Sequence, residues 1–221
     1  EDFTYNSGKL AALLYKEEIE RALKTPSFDG FQLLQLQDFP GQGTALVGLL
    51  NAFWESKGII SSEEFSQFNS ELVPLIRFEK ATYESGETFK ATIEIANFFE
   101  DKTNQSIDWS IKNTIGEVIK KGSLENVNLS IGNNTNLGEI LYEIDVEKAE
   151  KYTVNVSLRN SKYQNNWNIW VYPKIVKTEN KNIFVTSSFK EAEVALKQGK
   201  KVLLNPNYES LEGVQGRFVP V

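Results

Sequence analysis

"TFKATIEIAN", Thr88 to Asn97, decides how the middle of this chain folds. Phe89, Ala91, Ile93 and Ile95 alternate with Lys90, Thr92 and Glu94. A period of two puts apolar side chains on one face of an extended strand and polar ones on the other. The pattern returns at Ile107, Trp109 and Ile111, at Ile140, Tyr142 and Ile144, and at Tyr152, Val154, Val156 and Leu158. Turn sequences such as Asn113-Thr114-Ile115-Gly116 and Gly132-Asn133-Asn134 separate the runs. Half-apolar strands joined this way predict a mainly β fold, an antiparallel β-sandwich of immunoglobulin-like size over residues 73–173. Its last strand is expected at Trp167–Tyr172, closed off by Pro173. Ile93, Ile95, Trp109, Ile111, Tyr142, Val154 and Val156 should point inward.

Before the sandwich, the pattern is helical. Ala12, Tyr15, Ile19, Ala22 and Leu23 fall on one stripe of a helix over Lys9–Leu23, with Asn6 or Ser7 as cap and Thr25-Pro26 as stop. Leu10, Leu13 and Leu14 widen the apolar face beyond what a lone surface helix needs, so the helix is expected to pack on further protein. Gly30–Leu36 reads as a strand, and Ser62–Asn69 as a short helix capped by Ser61 or Ser62, with Glu63 and Glu64 suiting the first-turn dipole. After the sandwich, "NIFVTSS", "FKEAEVALKQG" and "KKVLLNP" read as strand, helix and strand, one βαβ unit. The expected organisation is therefore 1–72, 73–173 and 174–221. With no initiator Met or signal peptide at "EDFTYNSG" and an apolar run at "GRFVPV", both ends read as cut from something longer.

Composition narrows the chemistry. The 221 residues carry a net charge of −6, which argues against a nucleic-acid partner because no basic surface dominates. No apolar run approaches the ~20 residues of a membrane helix. Histidine and cysteine are both absent, which removes Ser-His-Asp and Cys-His catalysis, disulfides, and thiolate or imidazole metal ligands. Any catalysis would rest on carboxylates, Lys or Tyr. No cofactor is called for.

Individual candidates are mostly explained by structure. Gly41-Gln42-Gly43-Thr44 lacks the spacing and the lysine of a phosphate loop. Glu17, Glu18, Glu20 and Arg21 read as the solvated face of a helix, with Glu17 and Arg21 an i,i+4 pair. Asp101 and Asp108 lack a calcium-loop signature. Trp167, Trp170 and Tyr172 read chiefly as sandwich core, with a sugar-stacking platform as the alternative.

One stretch carries a resemblance. "EIERALKTPSFDGFQLLQLQDFPGQGTALVGLLNAFWESKG", Glu18 to Gly58, resembles the last helix and strand of the catalytic (β/α)₈ barrel in a bacterial branch of glycoside hydrolase family 2. That branch comprises β-galactosidase- and β-glucuronidase-like enzymes. The likeness runs from about Ser7 to Pro74; beyond that it is one of layout, since a β-sandwich follows the barrel in this family.

The resemblance implies a C-terminal fragment whose first segment closes an incomplete barrel and whose last begins a truncated α/β domain. Barrel enzymes bind substrate at the C-terminal ends of their strands. Asp38, Phe39 and Gln42 would then follow the eighth strand and face a carbohydrate substrate, with Trp54 as a further contact or a packing residue. The bland reading makes the same stretch a tight turn, Asp38 bonding backbone amides and Pro40-Gly41 turning the corner. Retaining enzymes of this family use two glutamates about 5 Å apart. In the family both lie upstream of the helix with which this chain begins, so no catalytic residue is expected here. The upstream barrel would be a partner, and a periplasmic or secreted parent is suspected. The alternative reading is a non-catalytic carbohydrate-binding or protein-interaction module built on the sandwich.

Overall fold

The computed structural model describes residues 2–41, 46–175, 182–208 and 211. It divides into two compact units, Glu1–Lys174 and Ile175–Val221.

The first unit is built on eight strands: β1 (Leu72–Phe78), β2 (Thr82–Glu84), β3 (Thr88–Asn97), β4 (Lys102–Lys112), β5 (Val118–Leu129), β6 (Gly132–Glu143), β7 (Glu150–Leu158) and β8 (Gln164–Tyr172). They form two sheets, ordered β1-β3-β6 and β2-β8-β7-β4-β5. The protein is mainly β, and its centre is a sandwich. Ile93, Ile95, Ile111, Val154 and Val156 are fully buried between the sheets with Phe89, Ile107, Ile140 and Ile169. Trp109 and Tyr142 pack against this core from its margin and are partly buried. The Trp109 ring lies over Gly122, where a Cβ would stand 2.6 Å from its Cζ2. A side chain at 122 would displace that ring.

Four details correct the sequence reading of the sandwich. The short edge strand β2 pairs with β8 in parallel, so the sandwich is not wholly antiparallel. The last strand begins at Gln164 rather than Trp167. Gly132-Asn133-Asn134 opens β6 instead of forming a turn. Asp108 is engaged by Arg159, whose guanidinium donates to it at 2.6 and 2.9 Å, which disposes of it as a free calcium ligand.

Helix α1 spans Asp2–Leu23, beginning well before the expected Lys9. Asn6 and Ser7 do not cap it; inside the first turns they donate to the carbonyls of Asp2 and Thr4 at 2.8 and 3.0 Å. Gly8 lets the helix lie close against Ile59, since a Cβ there would meet Ile59 at 2.7 Å. Ala12 and Ile19 are buried, whereas Leu10, Leu13 and Leu14 are each more than half exposed. Glu20 departs most from expectation. Read as solvated, it is only 2% exposed. Its carboxylate accepts from Asn165 at 2.8 Å and from the Trp167 indole at 2.7 Å, both on β8, and pairs with Lys16 and Lys24 at 3.3 and 3.1 Å. Lys16 in turn donates to the Asn166 carbonyl at 2.7 Å. Further along, Leu23 packs on Val73, Leu75 and Ala96, on the side of β1 and β3 away from the core.

Helix α2 is shorter than expected, Ser62–Ser66, but has the expected start: the Ser61 hydroxyl accepts from the Glu64 amide and Glu64 accepts from the Ser61 amide. Gly30–Leu36 is not a strand. Among the described residues the ladder contacts near it are single bridges, Gln37 to Leu50 and Leu50 to Ser56. An alternating segment without a neighbour to bond along its length stays irregular.

The second unit has β9 (Ile183–Thr186), α3 (Phe189–Lys197) and β10 (Lys201–Leu204). The two strands pair in parallel, Ile183 opposite Lys201 through Thr186 opposite Leu204. Ser188 caps α3 by accepting from the Glu191 amide at 3.3 Å. Gly199 takes a φ of +76° just past the helix end, as a C-terminal cap requires. No helix among the described residues is long and apolar enough to cross a membrane.

Candidate functional site

Residues 46–57 lie back against Gln37 and Asp38, beside α1. The Asp38 amide donates to the Leu50 carbonyl and the Leu50 amide to the Leu36 carbonyl, each at 3.0 Å. Gly48 makes this approach possible, since a Cβ there would fall 2.2 Å from the Gln37 carbonyl carbon. Backbones this close leave no room for a side chain.

Asp38 is drawn inward by the fold-back and is 5% exposed. Its Oδ1 accepts from the Gly48 amide at 3.0 Å and from the Lys57 ammonium at 2.7 Å. Lys57 also donates to the Gly48 carbonyl at 2.9 Å, so one cation ties together both limbs of the fold-back. Both bonds to the carboxylate use Oδ1, and Asp38 forms part of a groove wall. The groove is an open space of about 1150 Å³ between α1 and this segment, lined by Tyr5, Ala11, Leu14, Tyr15 and Glu18 from the helix and by Asp38, Val47, Lys57 and Ile59 from the other side. Tyr15 donates to the Val47 carbonyl at 2.9 Å. Burial raises the pKa of its hydroxyl, and the negative charge of Asp38 adds to the effect. The hydroxyl therefore stays protonated and serves as a donor. The site offers a fixed carboxylate oxygen, an ammonium, a phenol and an apolar wall, a set suited to holding a hydroxylated ligand.

The other residues singled out from the sequence lie elsewhere. Phe39 is half-exposed and covers Gly41, where a Cβ would stand 2.5 Å from its Cζ. Trp54, 63% exposed, sits at φ +65° on a turn held by Asn51, whose Oδ1 accepts from the amides of Phe53 and Glu55 at 2.9 and 3.0 Å. Neither Phe39 nor Trp54 lines the groove. Gln42 lies outside the described residues, as do Gly43 and Thr44 of the glycine-rich stretch. Sequence reasoning missed Lys57 and saw Tyr15 only as part of a helical stripe. Nothing in the spacing announces that Lys57 returns to Asp38. Among the described residues no cluster of three or more acidic side chains could hold a metal ion.

A family model described only as a domain of unknown function, DUF8488, matches residues 87–173, less than half of the chain. No curated protein matches the chain. Among solved structures, the β-glucuronidase of Parabacteroides merdae is similar at 15% identity with a TM-score of 0.33, over 47% of this chain and 13% of that enzyme. A putative β-galactosidase from Bacteroides fragilis is similar at 14% identity and a TM-score of 0.32, over 43% of this chain and 15% of the other. The sporulation control protein Spo0M of Bacillus subtilis is similar at 7% identity and a TM-score of 0.36, over 59% of this chain and 56% of its own. The chain thus spans only a small part of the two glycosidases. The similarity is weak, and none of the three assigns the chain an activity.

Proposed function

We propose that the chain is the C-terminal portion of a larger retaining glycosidase of the family 2 kind, acting on β-linked glycans of the β-galactoside or β-glucuronide type. The observation that carries the reading is Asp38. Within a stretch that resembles the end of the eighth barrel strand and its loop, it is a buried carboxylate with one oxygen held by Gly48 and Lys57, and it lines the groove. The exposed leucines of α1 support it, because Leu10, Leu13 and Leu14 give the helix an apolar face that an upstream barrel would cover. On this reading residues 1–72 complete the barrel, the sandwich follows, and residues 174–221 begin a further α/β domain. Gln42 belongs to the same proposal as a sugar contact, and so do Phe39 and Trp54, which lie outside the groove and would reach the sugar only in the completed barrel.

The paired glutamates that cleave the glycosidic bond lie upstream of this chain, so it has no turnover alone. The test is hydrolysis of aryl β-galactosides and β-glucuronides by the purified chain and by the same chain joined to the coding sequence upstream of it. Turnover is expected only from the longer protein. Activity of the chain alone, or an upstream sequence that encodes no barrel and no glutamate pair, would overturn the reading.

A further inference from the structure

The outer face of the five-stranded sheet presents a second surface that shares no residue with the Asp38 groove. Of the three aromatic residues on β8, Trp167 points inward and is committed to Glu20. Trp170 and Tyr172 lie on the opposite face, 43% and 40% exposed. Residues two apart on a strand project the same way about 7 Å apart, so the two rings stand side by side.

Register continues this face into a band of amides and hydroxyls. Asn168 lies opposite Thr153, Asn166 opposite Asn155, and Asn155 opposite Ser110. The amides are held in fixed orientations. Thr153 donates to the Asn168 carbonyl oxygen at 3.0 Å, which leaves the Asn168 NH₂ for a ligand. Asn166 donates to Gln67 at 2.8 Å, which leaves its carbonyl oxygen. Beyond Asn155 the face dips into a shallow hollow of about 520 Å³ bordered by Ser110, Ser123 and Ser157. The one carboxylate at its rim, Asp108, is already neutralised by Arg159.

Aromatic faces flanked by groups that both donate and accept match the two kinds of surface on a sugar, its C–H faces and its hydroxyls. The face also carries Lys151, opposite Trp170, and Lys121, opposite Ser110 at the hollow, so an anionic oligosaccharide is the alternative that the test sets against a neutral one. A stable protein partner would need a central apolar cluster, and here the centre is polar with the aromatic residues at one end. We infer that the outer face of β8, β7 and β4 binds neutral oligosaccharides, with Trp170 and Tyr172 stacking on sugar rings and Asn168, Asn155 and Ser110 bonding hydroxyls. This surface is independent of the reading given to Asp38 and holds whether or not the N-terminal segment belongs to a barrel.

The whole chain is titrated with cellohexaose, xylohexaose and β-1,4-galactohexaose, and with a heparin hexasaccharide as the anionic probe, followed by tryptophan fluorescence and calorimetry. At least one neutral hexasaccharide should bind. Trp170→Ala should weaken that binding about tenfold, as loss of one aromatic contact does. Tyr172→Ala should act in the same direction, while Phe189→Ala, at an exposed position on α3, should leave the affinity unchanged. Thermal melts establish that each variant is folded, and Asn168→Ala carries the test if Trp170→Ala does not fold. Binding to heparin alone, to none of the probes, or with the same affinity after both aromatic substitutions overturns the inference. Binding that is lost in Asp38→Asn and kept in Trp170→Ala assigns the sugar to the groove and overturns it equally.

Discussion

Asp38 is where chemistry and folding meet in one side chain. Its Oδ1 bonds the Gly48 amide and Lys57, so it closes the turn that the bland reading of the sequence anticipated, although its main partner is a lysine rather than several amides. Its place in the groove wall makes it a candidate sugar contact. Asp38→Asn separates the two roles. The amide oxygen still accepts from Gly48, but the ion pair with Lys57 is gone. We expect a loss of stability of about 1.5–3 kcal/mol, the range for a hydrogen bond between charged groups, read from the denaturation midpoint of the chain. In the longer, active protein kcat/KM should fall as well. A kcat/KM near wild type with the stability loss intact would assign Asp38 to the turn alone. At this scale the sequence was legible only in part. Asp-Phe-Pro-Gly marks a bend, but the cation that completes it comes from Lys57, after a further turn at Asn51–Glu55, and such a pairing has no local signature.

Among the elements, the strands of the sandwich were the most legible. Each buries one face, so its apolar residues report their own direction; Phe89 to Ile95 is the clearest case. Gly30–Leu36 has a similar composition and failed as a strand, because pairing depends on a neighbour that no local pattern specifies. α1 failed differently. Its buried stripe was read correctly, yet Glu20 was placed in solvent, since a glutamate among charged neighbours looks like surface until Asn165 and Trp167 are brought to it from far along the chain. That buried carboxylate now accounts for the attachment of α1 to β8. Glu20→Ala leaves the Trp167 indole without its acceptor and the largely buried Lys16 without its counter-charge, with only neutral oxygens of Asn165 and Asn166 to donate to. Removing one partner of a buried charge network costs about 3–5 kcal/mol. The expected result is a large fall in the urea midpoint of the chain, against a change under about 0.5 kcal/mol for Glu17→Gln on the exposed side of the same helix. Equal effects of the two substitutions would mean that the network does not hold the helix.

Across the sandwich unit as a whole, protonation sets the limits of stability, and one hydrogen-bonded pair contributes to both. The Tyr163 hydroxyl donates to Glu71 at 2.7 Å, with Lys162 3.1 Å from the same carboxylate. Tyr163, then the backbone and Lys162, hold Glu71 down from 4.5 to about 2. Arg159 and Ser123 likewise hold Asp108 down from 3.8 to about 2. A carboxylate with a depressed native pKa binds fewer protons folded than unfolded, so its contribution is complete above the unfolded value and drains away as pH falls through the native one. The acid limb should therefore run from about pH 4.5 to about 2. On the alkaline side the sign reverses. Tyr163 is pushed up from 10.0 to about 12, first by Glu71, and Tyr152 to about 12, first by burial. Each keeps its proton in the native state where the unfolded phenol has lost it, so stability falls as pH rises from 10 toward 12. Lys16 opposes this limb. Burial lowers its pKa, so stability it withholds while charged is regained as pH climbs toward 10.5. Two phenols with large shifts against one lysine predict a net alkaline loss. Because Glu71 and Tyr163 shift each other in opposite directions, Tyr163→Phe should act at both ends: it releases Glu71 toward its ordinary value, softening the acid limb, and removes one of the phenols from the alkaline limb. Tm followed across pH in the wild type and Tyr163→Phe reads both effects, and a variant profile parallel to wild type at both ends would refute the coupling.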